Sequence, residues 1–132
     1  MSFVLDTHAV VWYLENSDAL SSRARTTIEN AIRDGNRVSV SAISVVEVIY
    51  LAERSRVSQA ALTLLRNGLS DRTAGLDVVP VDALIADAVG KISRDTVPDM
   101  PDRIVAATAL HLGFPLITRD RRLQSSGIPT IW

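Results

Sequence analysis

Short apolar runs alternate along this chain with longer segments of helical periodicity, and this alternation constrains the fold more than any other feature. Strands are predicted at residues 3–5, 38–40, 76–81, 115–118 and 128–131. Helices are predicted between them, at about 8–14, 21–33, 41–54, 58–69, 82–92 and 101–112. Strands joined by helical crossovers pair in parallel. The sequence therefore predicts an α/β protein, a three-layer α/β/α sandwich with a central parallel sheet of four to five strands.

Composition limits the remaining possibilities. The 132 residues, 47% hydrophobic and 22% charged, fit one domain covering 1–132. The absence of cysteine excludes disulfides, zinc–thiolate sites and thiol catalysis. Two histidines are too few for a three-histidine metal site. No apolar run reaches the roughly 18 residues of a membrane span, and residues 1–6 lack a signal-peptide pattern, so we expect no membrane association and a cytoplasmic location.

The charged and aromatic residues bear on nucleic-acid binding. Lys91 is the only lysine among 14 basic residues, and arginine is well suited to phosphate because its guanidinium presents a rigid fork of donors. Codon usage in a GC-rich genome explains the same bias equally well. The six aromatic residues are scattered along the sequence, which argues against a base-stacking platform.

Four carboxylates lie beside apolar sequence, where an unpaired charge is costly. Asp6 follows the first predicted strand, and Asp120 follows the fourth. Glu47 interrupts a strongly apolar helix, and Asp102 lies in the first turn of the helix that begins at Pro101. Parallel strands bring such residues to one edge of the sheet, where open α/β sheets bind ligands.

Each of these carboxylates also has a purely structural explanation. Asp6 would cap the next helix, and Asp120 would be a polar turn residue. Glu47 would form a capping box with Ser44, and Asp102 would stabilise the helix dipole. Clustered together, however, four carboxylates repel one another, and a divalent cation relieves this repulsion. Oxygen ligands favour Mg²⁺ or Mn²⁺, and such a site suits phosphodiester hydrolysis.

The motifs that carry these acids resemble those of a known family. They are Val4-Leu5-Asp6-Thr7-His8-Ala9, the apolar helix with Glu47, the segment Asp99 to Ala109, and Leu116-Ile117-Thr118-Arg119-Asp120. Together they resemble the PIN-domain family, and within it the VapC-type toxins of bacterial toxin–antitoxin pairs. The resemblance extends over essentially the whole chain. It implies an α/β/α sandwich with Mg²⁺- or Mn²⁺-dependent endoribonuclease activity, and tRNA or rRNA as the substrate class.

The same resemblance implies roles for individual residues. Asp6 and Asp102 would bind metal directly, and Glu47 and Asp120 would bind it through water or orient the attacking water. Thr118 matches a hydroxyl residue that often stands two positions before the last acid. Two further implications are a homodimer and a cognate antitoxin that blocks the site.

Other residues near these motifs receive weaker assignments. Thr7 offers a hydroxyl that would orient Asp6 or a water at the site. Asp99 is interpreted as a cap or a supporting group, and His8 as a packing residue. Four arginines flank two of the acids and are candidates for RNA phosphate contacts; they are Arg103, Arg119, Arg121 and Arg122.

Two other functions remain open. Asp6 could be the nucleophile of a phosphoryl-transfer enzyme, although haloacid-dehalogenase-like proteins usually carry Asp-x-Asp there and this chain has His8 at the third position. Alternatively, the chain is a non-catalytic PIN-like module that binds RNA or a partner without cutting. RNA that binds tightly in Mg²⁺ and stays whole would favour the non-catalytic binding module.

Overall fold

A five-stranded parallel sheet forms the centre of the computed structural model, which describes residues 1–132. Its strand order is β3-β2-β1-β4-β5. The strands are β1 (Phe3–Leu5), β2 (Val38–Ser41), β3 (Leu76–Val79), β4 (Leu116–Ile117) and β5 (Thr130–Ile131). All four neighbouring pairs are parallel, so every strand ends at the same edge of the sheet. The predicted parallel α/β sheet is therefore confirmed.

Seven α-helices cover the two faces of this sheet. They are α1 (Thr7–Leu14), α2 (Ser22–Arg33), α3 (Ala42–Glu53), α4 (Gln59–Ser70), α5 (Ala83–Ala88), α6 (Met100–Leu112) and α7 (Arg121–Gln124). A short 3₁₀ helix, Val89–Lys91, follows α5. No helix has the length and apolar character that a membrane span requires.

Side-chain caps fix where most of the helices begin. Ser21, Ser41, Ser58 and Asp82 each accept a hydrogen bond from a backbone N–H in the first turn of the following helix. At the other end of α6, Gly113 adopts a φ of 70°, the left-handed conformation that ends many helices. Residues at the ends of the helices thus set the helix lengths, which the apolar pattern of the sequence predicts only approximately.

Two hydrophobic cores lie on opposite faces of the sheet. Leu5 and Val40 point into the core formed with α1 to α4, and Val4 and Leu116 point into the core formed with α5 to α7. Successive residues of a strand face opposite sides, which explains why neighbours Val4 and Leu5 belong to different cores. The three-layer architecture follows from this division.

The structure corrects several predicted boundaries, and the strands predicted at 76–81 and 128–131 contain only Leu76–Val79 and Thr130–Ile131. The helix predicted to reach residue 92 ends as an α-helix at Ala88 and continues as the 3₁₀ helix Val89–Lys91. The carbonyl groups of Val89 and of Ile92, just after this 3₁₀ helix, accept hydrogen bonds from Arg103. The strand predicted at 115–118 contains only Leu116–Ile117. Asp120, interpreted as a polar turn residue, is instead the cap of α7, because its carboxylate accepts from two backbone N–H groups.

The chain path creates a crevice beside the central strand. From β1 the chain moves outward to β2 and β3, and then crosses to the other side of β1 to form β4 and β5. The strand order therefore reverses between β1 and β4. Crevices at the carboxyl ends of strands around such a reversal are the usual ligand sites of open α/β sheets.

Candidate active site

Asp6 and Asp120 lie on the two sides of this crevice. Asp6 directly follows β1, and one of its carboxylate oxygens accepts a hydrogen bond from the Ala9 N–H at 2.8 Å. Asp120 lies just beyond β4, and its carboxylate accepts from the Arg122 N–H, also at 2.8 Å. Both acids are helix caps, which was the structural explanation given for Asp6, whereas Asp120 was interpreted as a polar turn residue. Capping uses only part of each carboxylate, so it does not exclude a second role.

Asp6 is the one buried residue among the aspartates at cap positions, with only 7% of its surface exposed. Its second oxygen accepts a hydrogen bond from the Thr118 hydroxyl. Burial raises the pKa of Asp6, and the hydrogen bonds from Thr118 and Ala9 oppose this rise. Asp6 is thus a fixed carboxylate that is costly to ionise without a nearby positive charge.

Thr118 connects the two acids. Its buried hydroxyl donates to Asp6 and accepts from the Asp120 N–H at 3.0 Å. Thr7, by contrast, hydrogen-bonds Ser44 at 2.8 Å. The expectation that Thr7 orients Asp6 is therefore wrong, and Thr118 is the hydroxyl residue that does so.

Glu47 reaches the crevice from the middle of α3. The capping-box interpretation with Ser44 is wrong, because Ser41 caps α3 and Ser44 already lies inside the helix. One carboxylate oxygen of Glu47, Oε1, is buried without any hydrogen-bond partner. A buried acceptor without a partner is costly, and a ligand at this position would satisfy it.

Asp102 faces these acids from the first turn of α6. The pKa of Asp102 is raised to about 7, first by burial and then by the charges of Glu47, Asp120, Asp99 and Asp6, in that order. Asp99 was interpreted as a cap or supporting group; it occupies the cap position of α6 but makes no side-chain cap hydrogen bond. Its side chain instead joins the acidic group.

All of these acids line one cavity of about 400 Å³. Its lining residues are Asp6, Thr7, His8, Trp12, Glu47, Asp99, Asp102, Arg119 and Asp120. The convergence predicted from sequence for Asp6, Glu47, Asp102 and Asp120 is thus present, and Asp99 adds a fifth carboxylate. Trp12 is the only hydrophobic residue in the lining.

The donor set fits a hard divalent cation such as Mg²⁺ or Mn²⁺. It consists of oxygen ligands, it includes the partnerless oxygen of Glu47, and the mutual repulsion that raises the pKa of Asp102 would be relieved by a cation. No three acidic or histidine side chains are close enough to bind a metal together directly. Mg²⁺ usually keeps several waters and is bound by one or two carboxylates, so it does not need three direct protein ligands.

Comparison with known proteins identifies the family. A family model described as PIN domain matches residues 3–127. The chain belongs to the PIN domain family. Ribonuclease VapC22 from Mycobacterium tuberculosis is 32% identical to it, across 98% of this chain and 97% of that protein. The tRNA(fMet)-specific endonuclease VapC from Shigella flexneri is 27% identical, across 92% of this chain and 89% of its own length.

Solved structures share the fold of this PIN domain. A chain of VapBC2 from Rickettsia felis, bound to a promoter DNA fragment, matches with a TM-score of 0.73 and 16% identity, covering 99% of this chain and 98% of that one. A chain of DNA-bound VapBC from Salmonella typhimurium matches with a TM-score of 0.72 and 22% identity, covering 99% and 97%. The predicted PIN-like architecture is confirmed by these matches.

The four candidate arginines of the PIN domain have different environments. Arg103 donates to the carbonyl oxygens of Val89 and Ile92 at 3.0 and 2.9 Å, so its assignment as a phosphate contact is wrong and its role is to stabilise the 3₁₀ turn. Arg119 lines the acidic cavity. Arg121 and Arg122 are exposed on α7 outside the cavity lining, and their contact with RNA stays a prediction.

An aromatic cluster beside the cavity was missed by sequence analysis. The rings of His8 and Trp12 are 5.5 Å apart, and those of Trp12 and Trp132 are 6.0 Å apart. The Arg119 guanidinium lies over the Trp12 ring, 4.6 Å from its centre. The residues are scattered in sequence but meet in space, because α1 and the chain after β5 both lie near the edge where the strands end. The argument against a stacking surface therefore does not hold.

Proposed function

We propose that this PIN domain is a divalent-metal-dependent endoribonuclease and the toxin of a toxin–antitoxin pair. The observation that carries the proposal is the convergence of carboxylates from β1, α3, α6 and the β4–α7 junction on one polar cavity. Support comes from the relatives in Mycobacterium tuberculosis and Shigella flexneri, whose names describe a ribonuclease and a tRNA-specific endonuclease.

The acids would divide the work of metal binding. Asp6 and Asp102 would bind the ion directly, and Glu47 and Asp120 would act through water. When bound, a divalent ion would lower the pKa of a bound water and neutralise negative charge on the phosphate. The hydrogen bonds to Asp6 from Ala9 and Thr118 hold its carboxylate in place, so this ligand would need little rearrangement to receive the ion.

Arg119 is the residue of the cavity that would bind the substrate. Arg119 forms no ion pair with any carboxylate, so its charge is available to a phosphate oxygen. Glu47, which would act through water, lines the same cavity.

The partners of the proposed toxin follow from the relatives. Solved VapBC assemblies combine a toxin of this fold with an antitoxin, and we propose a cognate antitoxin here too. The exposed apolar side chains of Val46, Tyr50 and Met100 offer a surface for a protein partner. The homodimer, the cytoplasmic location, and tRNA or rRNA as the substrate stay predictions.

Cleavage of RNA by the purified protein tests the proposal. The protein, freed of any co-purified antitoxin by unfolding and refolding, would be incubated with total RNA in Mg²⁺ or Mn²⁺ and in EDTA. We expect discrete fragments only with the metal, and none from Asp102→Asn. Asp82→Asn is the matched control, since Asp82 caps a helix at the same edge of the sheet but lies outside the cavity.

The alternatives have their own outcomes in this experiment. RNA that is retained but never cut would favour the binding module. Cleavage that persists in EDTA, or in Asp102→Asn at the wild-type rate, would contradict the assigned site. Hydrolysis of an aryl phosphate in place of RNA would favour the phosphoryl-transfer enzyme.

A further inference from the structure

A second cavity adjoins the acidic one. It has a volume of about 340 Å³, and Thr7, His8 and Trp12 line both cavities. The first turns of α1 therefore form a shared wall between them. A linear polymer bound across this wall would occupy both cavities at once.

The second cavity differs in chemistry from the first. Val11, Val48, Leu51 and Val57 form an apolar part of its lining, and none of the four candidate metal-site carboxylates contributes to it. Its volume is at the lower end of the range for small-molecule sites. An apolar cavity of this size suits a flat ring with polar edges better than a cation or a phosphate.

Polar groups also line this cavity. Glu15 at the end of α1 and Arg56 after α3 are both exposed there. The turn that carries Arg56 is closed by hydrogen bonds from the Ser55 N–H to Ala52 and from the Arg56 N–H to Leu51, at 3.1 and 2.8 Å. The cavity therefore has an acceptor and a donor beside its apolar lining, and Arg56 stands on a fixed turn.

Trp12 joins the chemistry of the two cavities. The Arg119 guanidinium lies over its ring and lines the acidic cavity, but it does not line the second one. The indole thus holds a cation beside the carboxylates and contributes aromatic surface to the apolar cavity. In RNA, a phosphate and the base next to it offer the matching pair of groups.

We propose that the second cavity binds a nucleobase of the RNA substrate, the one next to the phosphate that is cut, with Trp12 as the stacking surface. This inference rests on the proposed ribonuclease function. Arg119, positioned by Trp12, binds the adjoining phosphate. Glu15 and Arg56 contact the polar edges of the base, so this cavity favours some bases over others at one position beside the cut.

Cleavage of a pool of single-stranded RNA with randomised sequence, in Mn²⁺, tests the subsite. The fragment ends would be sequenced and kcat/KM measured. Trp12→Leu keeps apolar volume without an aromatic face, and we expect kcat/KM to fall about tenfold or more and base preference at one position to weaken. Trp12→Phe keeps a ring and should retain most of both.

Trp132→Leu is the matched control. It removes the same side chain from the same aromatic cluster, but Trp132 lines neither cavity. We expect base preference to be unchanged in this variant. An equal loss of preference in Trp12→Leu and Trp132→Leu would overturn the subsite, because it would show general loosening of the cluster.

The outcome separates this inference from the proposed function. If the wild type cuts RNA and Trp12→Leu is folded but has unchanged kcat/KM and preference, the subsite is wrong and the ribonuclease stands. If the wild type does not cut, binding tests the subsite instead. The Kd for the same RNA would be measured for Asp102→Asn and for the double variant that also carries Trp12→Leu. An equal Kd overturns the subsite. If Trp12→Leu does not fold, the variants Arg56→Ala and Glu15→Gln take its place. Unchanged base preference in both of these variants would overturn the subsite.

Discussion

Two strand-to-helix junctions at the same edge of the sheet have the same local geometry and different chemistry. Asp6 between β1 and α1 accepts from the Ala9 N–H at 2.8 Å, and Asp82 between β3 and α5 accepts from the Ile85 N–H at 3.0 Å. Asp82 is exposed at the edge strand, whereas Asp6 is buried at the central strand. The same cap becomes part of a candidate active site only where the strand order reverses.

The strongest test of this comparison is to neutralise each aspartate in turn. Asp6→Asn should lower RNA cleavage by about 100-fold or more, since losing a direct metal ligand exceeds the 10–100-fold effect typical of residues that only support one. Asp82→Asn should change the rate by less than about twofold. Rates with Mn²⁺ for the two folded variants give the result. Similar losses in both would mean that Asp6 is no more than a cap.

A second test removes the hydroxyl that distinguishes the Asp6 junction. Thr118→Val deletes the donor to Asp6 and the acceptor of the Asp120 N–H, and we expect activity to fall about 10- to 100-fold. The free energy of unfolding should fall by about 1–3 kcal/mol, because buried polar groups lose their partners. Urea denaturation and cleavage rates measure the two effects. Full activity would contradict a role for Thr118 in orienting Asp6.

A third test uses the repulsion within the acidic cavity. The pKa of Asp102 is about 7 in the folded protein and about 3.8 in the unfolded chain. Between these values only the folded state binds the proton, so this group makes stability fall as the pH rises from about 4 to 7. Asp102→Asn should become more stable than the wild type across this range, by about 1–2 kcal/mol after allowing for solvent screening.

The measurement is urea denaturation of both proteins in EDTA at several pH values. The difference between the two free energies of unfolding should grow with pH and level off above about 7. A difference that is the same at pH 4 and pH 8 would show that the pKa of Asp102 is not raised in the folded protein.

The smallest expected effect concerns the ordinary cap. Asp82→Ala should lower the free energy of unfolding by about 1 kcal/mol, the usual loss when a capping side chain is removed, and should leave RNA cleavage unchanged. Thermal unfolding and cleavage rates check the two parts. A loss of cleavage in this variant would extend the active site to the β3 edge and weaken the comparison.

Local sequence was sufficient for the elements and insufficient for the contacts between them. Alternating apolar runs located all five strands, and residues after the strands pointed to the acids. The Thr118–Asp6 hydrogen bond joins residues 112 positions apart, and no local pattern contains it. The Trp12–Trp132 contact was missed for the same reason.

Helix starts show the limit of short-range patterns. Ser41 and Ser44 are both acceptable caps for α3, and the sequence left the choice open. Only the end of β2 at Ser41 decides it, and this places Glu47 in the second turn, facing the cavity with a free oxygen. Arg103 was misjudged similarly, because its carbonyl partners lie in and just after a 3₁₀ helix that periodicity does not reveal.

Titration of the protein with Mn²⁺, following the electron paramagnetic resonance signal of the free ion, tests the central claim most directly. The claim is that the carboxylates at the strand reversal form a metal site. We predict saturable binding in the wild type and Asp82→Asn, and loss of that binding in Asp6→Asn and Asp102→Asn. Equal binding in all four proteins, or no binding in any, would contradict the account.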